Sequence, residues 1–381
     1  MVHLTNSENT HMNIKRIEKE IRDTPYHKGT EHHIGRLRAK LAKLKDGLRV
    51  ESVKKGGGGG YAVKKQGDAA VILIGPPSAG KSTLINKLTN AQSKVAPYAF
   101  TTVNVIPGMM IYKNARIQIL DVPGLIEGAE EGRGRGREVL SVARGADLII
   151  LMTDVDRPEA TERIKKTLEE NGIRLNIVRP NVIIDKKVSG GLTLHSNIKQ
   201  DLTKETIKSI AQELGIKNAE ITINEKLTIE RLIDAFSLNR VYVPSISIIN
   251  KADLNNKVTG AKLIHPAFPT GRPPGVFEAA TVTPLFISAE KGTGLTELKE
   301  KMWLSLNFLR GYLVRPDEDP DFDNPIIMKV GSTLYDVGEK LGEDFVKEKI
   351  KAKIWGAGSK FPGQEVSLST KLAEGMQVRF I

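Results

Sequence analysis

Hydrophobic and polar positions change their period several times along this chain. Ile14, Ile17 and Ile21 recur at steps of three and four, and the stripe stops before Pro25 and Gly29. Ile34, Leu37, Leu41, Leu44 and Leu48 then alternate steps of three and four, a heptad-like seam. The two stripes predict an antiparallel helical hairpin. Five consecutive glycines at 56–60 follow. No packed helix or strand tolerates their entropy cost, so a linker and a domain boundary are predicted there. From Ala69 the texture becomes short apolar runs alternating with helix-like stretches. The runs 70–74, 117–120, 148–152, 245–249 and 285–287 read as buried strands of a parallel sheet.

Between Arg157 and Ser237 the pattern changes again. Residues 159–172 and 203–215 have the period of amphipathic helices, and 182–185, 192–195 and 220–223 that of strands. Asp121 and Asn250 lie 129 residues apart, where two helices and a strand would need only about 50–60. The block 157–237 is therefore read as an insertion. After a last helix at 295–307, strands are predicted near 311–314, 326–330, 350–355 and 377–381. One helix at 333–341 lies among them, capped by Ser332. The fold class expected is α/β, a doubly wound sheet with an inserted α+β domain. The domains run 1–66, then 67–156 with 238–306, then 157–237, then 307–381.

Composition narrows the chemistry. The chain has 381 residues, 40% hydrophobic and 27% charged, enough for more than one core. It contains no cysteine, which excludes disulfides, thiolate nucleophiles and cysteine-ligated metals. Its seven histidines show no metal-site spacing. The apolar runs are far shorter than the roughly 20 residues a membrane span needs. The polar N-terminus resembles no signal peptide, and a cytoplasmic location is expected. The formal net charge is +12, and the first 67 residues hold 15 Lys and Arg against 7 Asp and Glu. Such a bias suits polyanions. Arg36, Arg38, Lys40, Lys43, Lys45 and Arg49 lie off the second seam, where they make either a solvated face or a nucleic-acid contact.

The sharpest signal follows the strand-like run 70–74. Gly75, Pro76, Pro77, Ser78, Ala79, Gly80, Lys81 and Ser82 form a G-x-x-x-x-G-K-S loop that opens a helix through Thr83. The two glycines let backbone amides converge on phosphate oxygens at a helix N-terminus. Lys81 adds a full charge for the β- and γ-phosphates, and the Ser82 hydroxyl suits Mg²⁺. Downstream, Asp121 ends an apolar run and begins Asp-Val-Pro-Gly, so it can hold Mg²⁺ while the Gly124 amide senses a γ-phosphate. Phe100, Thr101 and Thr102 lie in a polar stretch between, where one threonine can complete the metal shell. Lys81, Thr102 and Gly124 are the expected catalytic contributors.

Two further clusters select the base. Asn250-Lys251-Ala252-Asp253 follows the run 245–249, and the Asp253 carboxylate can accept from guanine N1–H and its exocyclic amine together. Adenine lacks that donor pair, so such a site rejects it. Lys251 can lie along the base, and Asn250 can tie loops together. Ser288, Ala289 and Glu290 follow the run 285–287 and offer amides to guanine O6. Each cluster sits where a strand ends, which is where open α/β sheets bind ligands.

This ordered series resembles the signature of translation-factor-type GTPases. With the run YAFTTVNVIPG and the stretch DVPGLIEGAEEGRGRGRE it is similar to the Obg group, and within it to the developmentally regulated GTP-binding proteins, in an archaeal-like form. The likeness spans nearly the whole chain. The tail, with KVGSTLYDVGEKLG, KIWG and MQVRFI, resembles a TGS domain, a small β-grasp module. The resemblance implies a P-loop GTPase with Mg²⁺, a ribosomal-protein-like fold for the inserted block, association with ribosomes or RNA, and a stabilising partner protein.

Where many GTPases carry a water-orienting glutamine, this chain has Leu125, then Ile126. Leucine cannot hydrogen-bond water, so slow hydrolysis is expected, and the resemblance implies the same. K⁺, a backbone group, a partner, or one of Glu127, Glu130 and Glu131 is left to assist. Potassium-activated relatives often have asparagine where Ser78 stands. Arg133, Arg135 and Arg137, spaced by Gly132, Gly134 and Gly136, read as a flexible basic loop. The function expected is a GTP/GDP switch tied to translation. An ATP-driven P-loop enzyme and an RNA-binding scaffold with structural nucleotide are the alternatives.

Overall fold

The computed structural model describes residues 6–54, 66–89, 96–97, 104–122, 135–254, 283–316 and 318–381. The chain divides into two compact units, one made by Met1–Gly60 with Val178–Tyr242 and the other by Tyr61–Ile177 with Val243–Ile381.

The second of these is built on a seven-stranded sheet. Its order is Leu285–Phe286, Ser245–Asn250, Leu148–Asp154, Ala69–Ile74, Ala115–Asp121, Asn104–Tyr112 and Ala96–Pro97. The first five strands run parallel. The strands Ala69–Ile74 and Leu148–Asp154 are buried along their whole length. Continuous burial is what a parallel sheet covered on both faces demands, and it explains apolar runs without alternation. Each Ile or Leu removed from water there contributes about 1.5–3 kcal/mol. The strand Asn104–Tyr112 is antiparallel and was not anticipated. It joins the next strand through Lys113 and Asn114, whose φ values of 48° and 67° suit the tight two-residue turn of a right-twisted hairpin.

Around the large sheet, two sequence expectations are corrected. Helix Ala160–Glu170 buries Ala160, Ile164 and Leu168 here, so the block from 157 to 177 belongs with the large sheet and the boundary falls at Val178. Asn176 fixes this end of the block, because its side chain donates to Ser245 O and accepts from Ser245 N at 2.6 Å. Arg135, Gly136 and Arg137 open the helix Arg135–Arg144 instead of lying in a loop. The glycine run, Arg133 and the acidic residues Glu127, Glu130 and Glu131 lie outside the described residues.

After helix Leu295–Ser305 the same unit carries a five-stranded sheet, ordered Ile326–Lys329, Phe308–Leu313, Met376–Phe380, Lys351–Trp355 and Gln364–Ser367. Helix Leu334–Leu341 buries Leu334 and Val337 against it. The cap is Thr333 rather than Ser332: its hydroxyl accepts from Asp336 N while the Asp336 carboxylate accepts from Thr333 N at 2.6 Å. A capping box of this kind outbids a neighbouring serine that would satisfy one amide only. Helix Glu343–Lys347 and strand Gln364–Ser367 were not anticipated, being only five and four residues long. Trp303 packs edge-on against Phe308 at 5.3 Å, and Lys340 reaches Asp68, joining this sheet to the larger one.

The other unit joins helices Asn6–Asp23 and Glu31–Lys54 to a three-stranded sheet, ordered Val182–Lys186, Ala219–Ile223 and Leu192–Ser196. Helices Lys204–Glu213 and Ile229–Phe236 are capped by Thr203 and Thr228. The hairpin is thus no separate domain. Ala39 shares a core with Ile207, Ile210 and Leu232. Buried Glu31 accepts from Thr203 N and the Thr206 hydroxyl; these bonds, with that from Lys28, overcome the cost of burial and lower its pKa. No helix among the described residues is long and apolar enough to cross a membrane.

Candidate functional site

Five chain segments converge where the parallel strands end. The phosphate loop leaves the strand Ala69–Ile74 and enters helix Lys81–Thr89. Its glycines are required by space. A Cβ at Gly75 would sit 2.1 Å from Met152 O, and one at Gly80 would sit 2.4 Å from Asn250 Nδ2. Gly80 also has φ of 93°. Ser78, at φ 59°, takes the left-handed conformation at the exposed tip of the loop. Pro76 and Ala79 are buried and Pro77 is exposed. The Lys81 ammonium donates to Gly75 O and Pro76 O, both at 3.0 Å, and is thereby held across the loop mouth. Thr83 lies exposed in the first helical turn.

Behind the loop, the Ser82 hydroxyl donates to Asp121 Oδ2 at 3.1 Å. Asp121 is buried, and its Oδ1 has no hydrogen-bond partner among the described residues. Burial pushes its carboxyl above the ordinary value, a shift that Lys81 and the Ser82 bond only partly oppose. A buried carboxylate oxygen without a donor is costly. A divalent cation beside Ser82 would relieve that cost, so the donor set fits Mg²⁺, which takes hard oxygens.

Asn250 locks two loops together. Its Nδ2 donates to Ala79 O and its Oδ1 accepts from Ala289 N, both at 2.9 Å. Lys251 follows with φ of 61°, and its ammonium lies 3.3 Å from Asp154 Oδ2. Asp253 is held below the usual carboxylate range by a hydrogen bond from Ser288 and by Lys291 nearby. It is therefore an ionised acceptor at neutral pH. Ser288 is buried, and Glu290 is exposed at the turn.

Of the residues expected from sequence, the structure thus brings together the loop from Gly75 to Thr83, Asp121, Asn250, Lys251, Asp253, Ser288, Ala289 and Glu290. Phe100, Thr101, Thr102, Gly124 and Leu125 lie outside the described residues. Sequence reasoning missed Asp154 and Arg157. Asp154 ends a wholly buried strand at 1% exposure, and Arg157 grips it with Nη2 at 2.8 Å. An Asp closing an apolar run with Arg three residues on was a visible signal for a buried charge.

A glycine-bounded loop between strand and helix, a buried acid behind it and the segments of Asn250 and Ser288 at the ends of a parallel sheet have the arrangement of a P-loop GTPase. Comparison with known proteins carries this to a family. The family described as 50S ribosome-binding GTPase matches residues 70–184, and the C-terminal region of the MMR_HSR1 domain matches 189–308. A GTP-binding protein of Methanocaldococcus jannaschii is 45% identical over 95% of this chain and 90% of its own. Developmentally-regulated G-protein 3 of Arabidopsis thaliana is 39% identical over 97% of both. Among solved structures, the Schizosaccharomyces pombe YchF GTPase covers 84% of this chain and 99% of its own at 13% identity, with a TM-score of 0.43. The chain belongs to the developmentally regulated GTP-binding protein family and is a GTP-binding GTPase.

Proposed function

We propose that this protein is a slow, Mg²⁺-dependent GTP switch working on an RNA-rich surface, with the ribosome as its setting. The observation that carries the switch is the hydrogen bond from exposed Ser82 to buried Asp121 behind the phosphate loop, with Asp121 Oδ1 unsatisfied. In this reading the loop amides and Lys81 bind the triphosphate, and Asp253 accepts from the guanine edge. The Ala289 amide, already fixed by Asn250, orders the loop beside O6. Ser82 and Asp121 would hold Mg²⁺, with Thr102 as a further ligand; the cation neutralises phosphate charge when bound. Gly124 senses the γ-phosphate, and Leu125 in place of a glutamine supports slow turnover. Ordering and release of the segments carrying Thr102 and Gly124 form the two states. K⁺ is proposed as an activator.

The other parts have their own proposed roles. The net charge of +12, concentrated before the glycine run, supports binding to RNA. The tail is read as a TGS domain of β-grasp type, the segment 178–242 as an inserted module, and a cytoplasmic partner protein as a stabiliser. The functional test is direct. Lys81→Ala should abolish tight binding of GTP, and Asp253→Asn should erase the preference for GTP over ATP in competition; retention of both removes the site assignment. Cosedimentation with ribosomes should fall steeply between low and moderate salt, and an absence of cosedimentation at low salt refutes the RNA setting.

A further inference from the structure

Within the unit that carries the nucleotide site, the contacts proposed above leave one buried acid unused among the described residues. Asp154 is 1% exposed at the end of the strand Leu148–Asp154, beside the strand that carries the phosphate loop. A bare carboxylate would not persist there, and two cations satisfy it. Arg157 approaches with Nη2 at 2.8 Å from Oδ2 and Nε at 3.4 Å from Oδ1. Lys251 places its ammonium 3.3 Å from the same Oδ2. Arg157 Nη2 also donates to Pro77 O at 2.9 Å. One carboxylate therefore ties the base-reading loop, through Lys251, to the exposed side of the phosphate loop, through Arg157 and Pro77.

We propose that Asp154 is a positioning residue for nucleotide binding, which with Arg157 fixes Lys251 and Pro77 as one preorganised unit. This rests on the nucleotide-site reading above. The geometry gives the mechanism. Lys251 has a left-handed backbone, and a long flexible stem on that backbone would sample many rotamers. The ion pair selects the one that lays the stem along the sheet edge, where the base is read. Arg157 spends one nitrogen on both Asp154 and Pro77, so the phosphate loop and the base loop are held to a common post before nucleotide arrives. Preorganisation of this kind shows as affinity, because less ordering is left for binding to accomplish.

The effect should be shared by GDP and GTP, since the groups the cluster holds, Lys251 and Pro77, belong to the base loop and the phosphate loop, which both nucleotides use. Asp154→Asn keeps the shape and removes the charge. Titration of the full chain with fluorescent GDP and GTP should show both weakened by the same factor, about tenfold or more if a charge-assisted bond is lost. In GTP turnover, KM should rise while kcat is kept. The same change made in a Lys251→Ala background should cost less, because one of the two ion pairs it removes is already gone and only that with Arg157 is left to lose. Arg157→Ala, at a side chain 40% exposed, preserves the fold and should weaken both nucleotides severalfold. Unchanged affinity in Asp154→Asn and Arg157→Ala overturns the proposal, as does a loss that is fully additive with Lys251→Ala. Lys81→Ala run in parallel separates the two ideas: if it abolishes binding while Asp154→Asn does not weaken it, the site stands and the positioning role falls.

Discussion

At Gly80 one hydrogen atom in place of a methyl group decides whether two loops can meet. Its φ of 93° and the 2.4 Å clearance to Asn250 Nδ2 leave no room for a side chain. Gly80→Ala should destabilise the chain by about 1–3 kcal/mol and abolish GTP binding. Thermal melting and nucleotide titration check the two effects separately. Asp121 provides a second residue-level outcome. Its carboxyl sits above the ordinary value because of burial. Between the unfolded and folded values the native chain holds a proton that the unfolded chain has released, so stability without nucleotide falls as pH rises through that window. Asp121→Asn should flatten this pH dependence of the melting temperature. It should also remove the extra stabilisation by Mg²⁺ with GTP, which needs the charged form and therefore weakens as pH falls in the parent chain. The motif residues were legible because each carries its own chemistry in a short window. Asp154 was not, because its role depends on Lys251, 97 positions away, and on Arg157 reaching back to Pro77.

Elements were legible to the degree that their periodicity was strong. The five parallel strands lie within a residue or two of the runs that predicted them, since a strand buried on both faces must be apolar throughout. The strand Asn104–Tyr112 escaped notice because Pro107 and Gly108 interrupt its pattern and its pairing is antiparallel. The cap at Thr333 shows how a single residue shifts an element's start. Thr333→Ala should cost about 1 kcal/mol of stability, and Ser332→Ala close to nothing. Denaturant titration of the two variants distinguishes them, and equal losses would contradict the capping box.

At the scale of the whole molecule, magnitudes rank the contacts that hold the C-terminal sheet to the large one. The ion pairs Lys340 to Asp68 and Lys329 to Asp147 have exposed lysines and contribute about 0–1 kcal/mol each. Trp303 is nearly buried between Tyr112 and Phe308, so Trp303→Ala should cost about 3–5 kcal/mol. Lys340→Ala should leave the melting temperature almost unchanged by comparison.

The order of motifs, the alternation of strands and helices, the absence of cysteine chemistry and the uneven charge were settled by the amino-acid sequence itself. Each is a local property, readable from composition or from a period within a few turns. Tertiary structure alone decided that the N-terminal helices share a core with residues 178–242, that helix Ala160–Glu170 belongs to the large sheet, and that Asp154 joins two loops. Those outcomes depend on side chains far apart in sequence competing for the same buried space, and no local pattern encodes which of them meet.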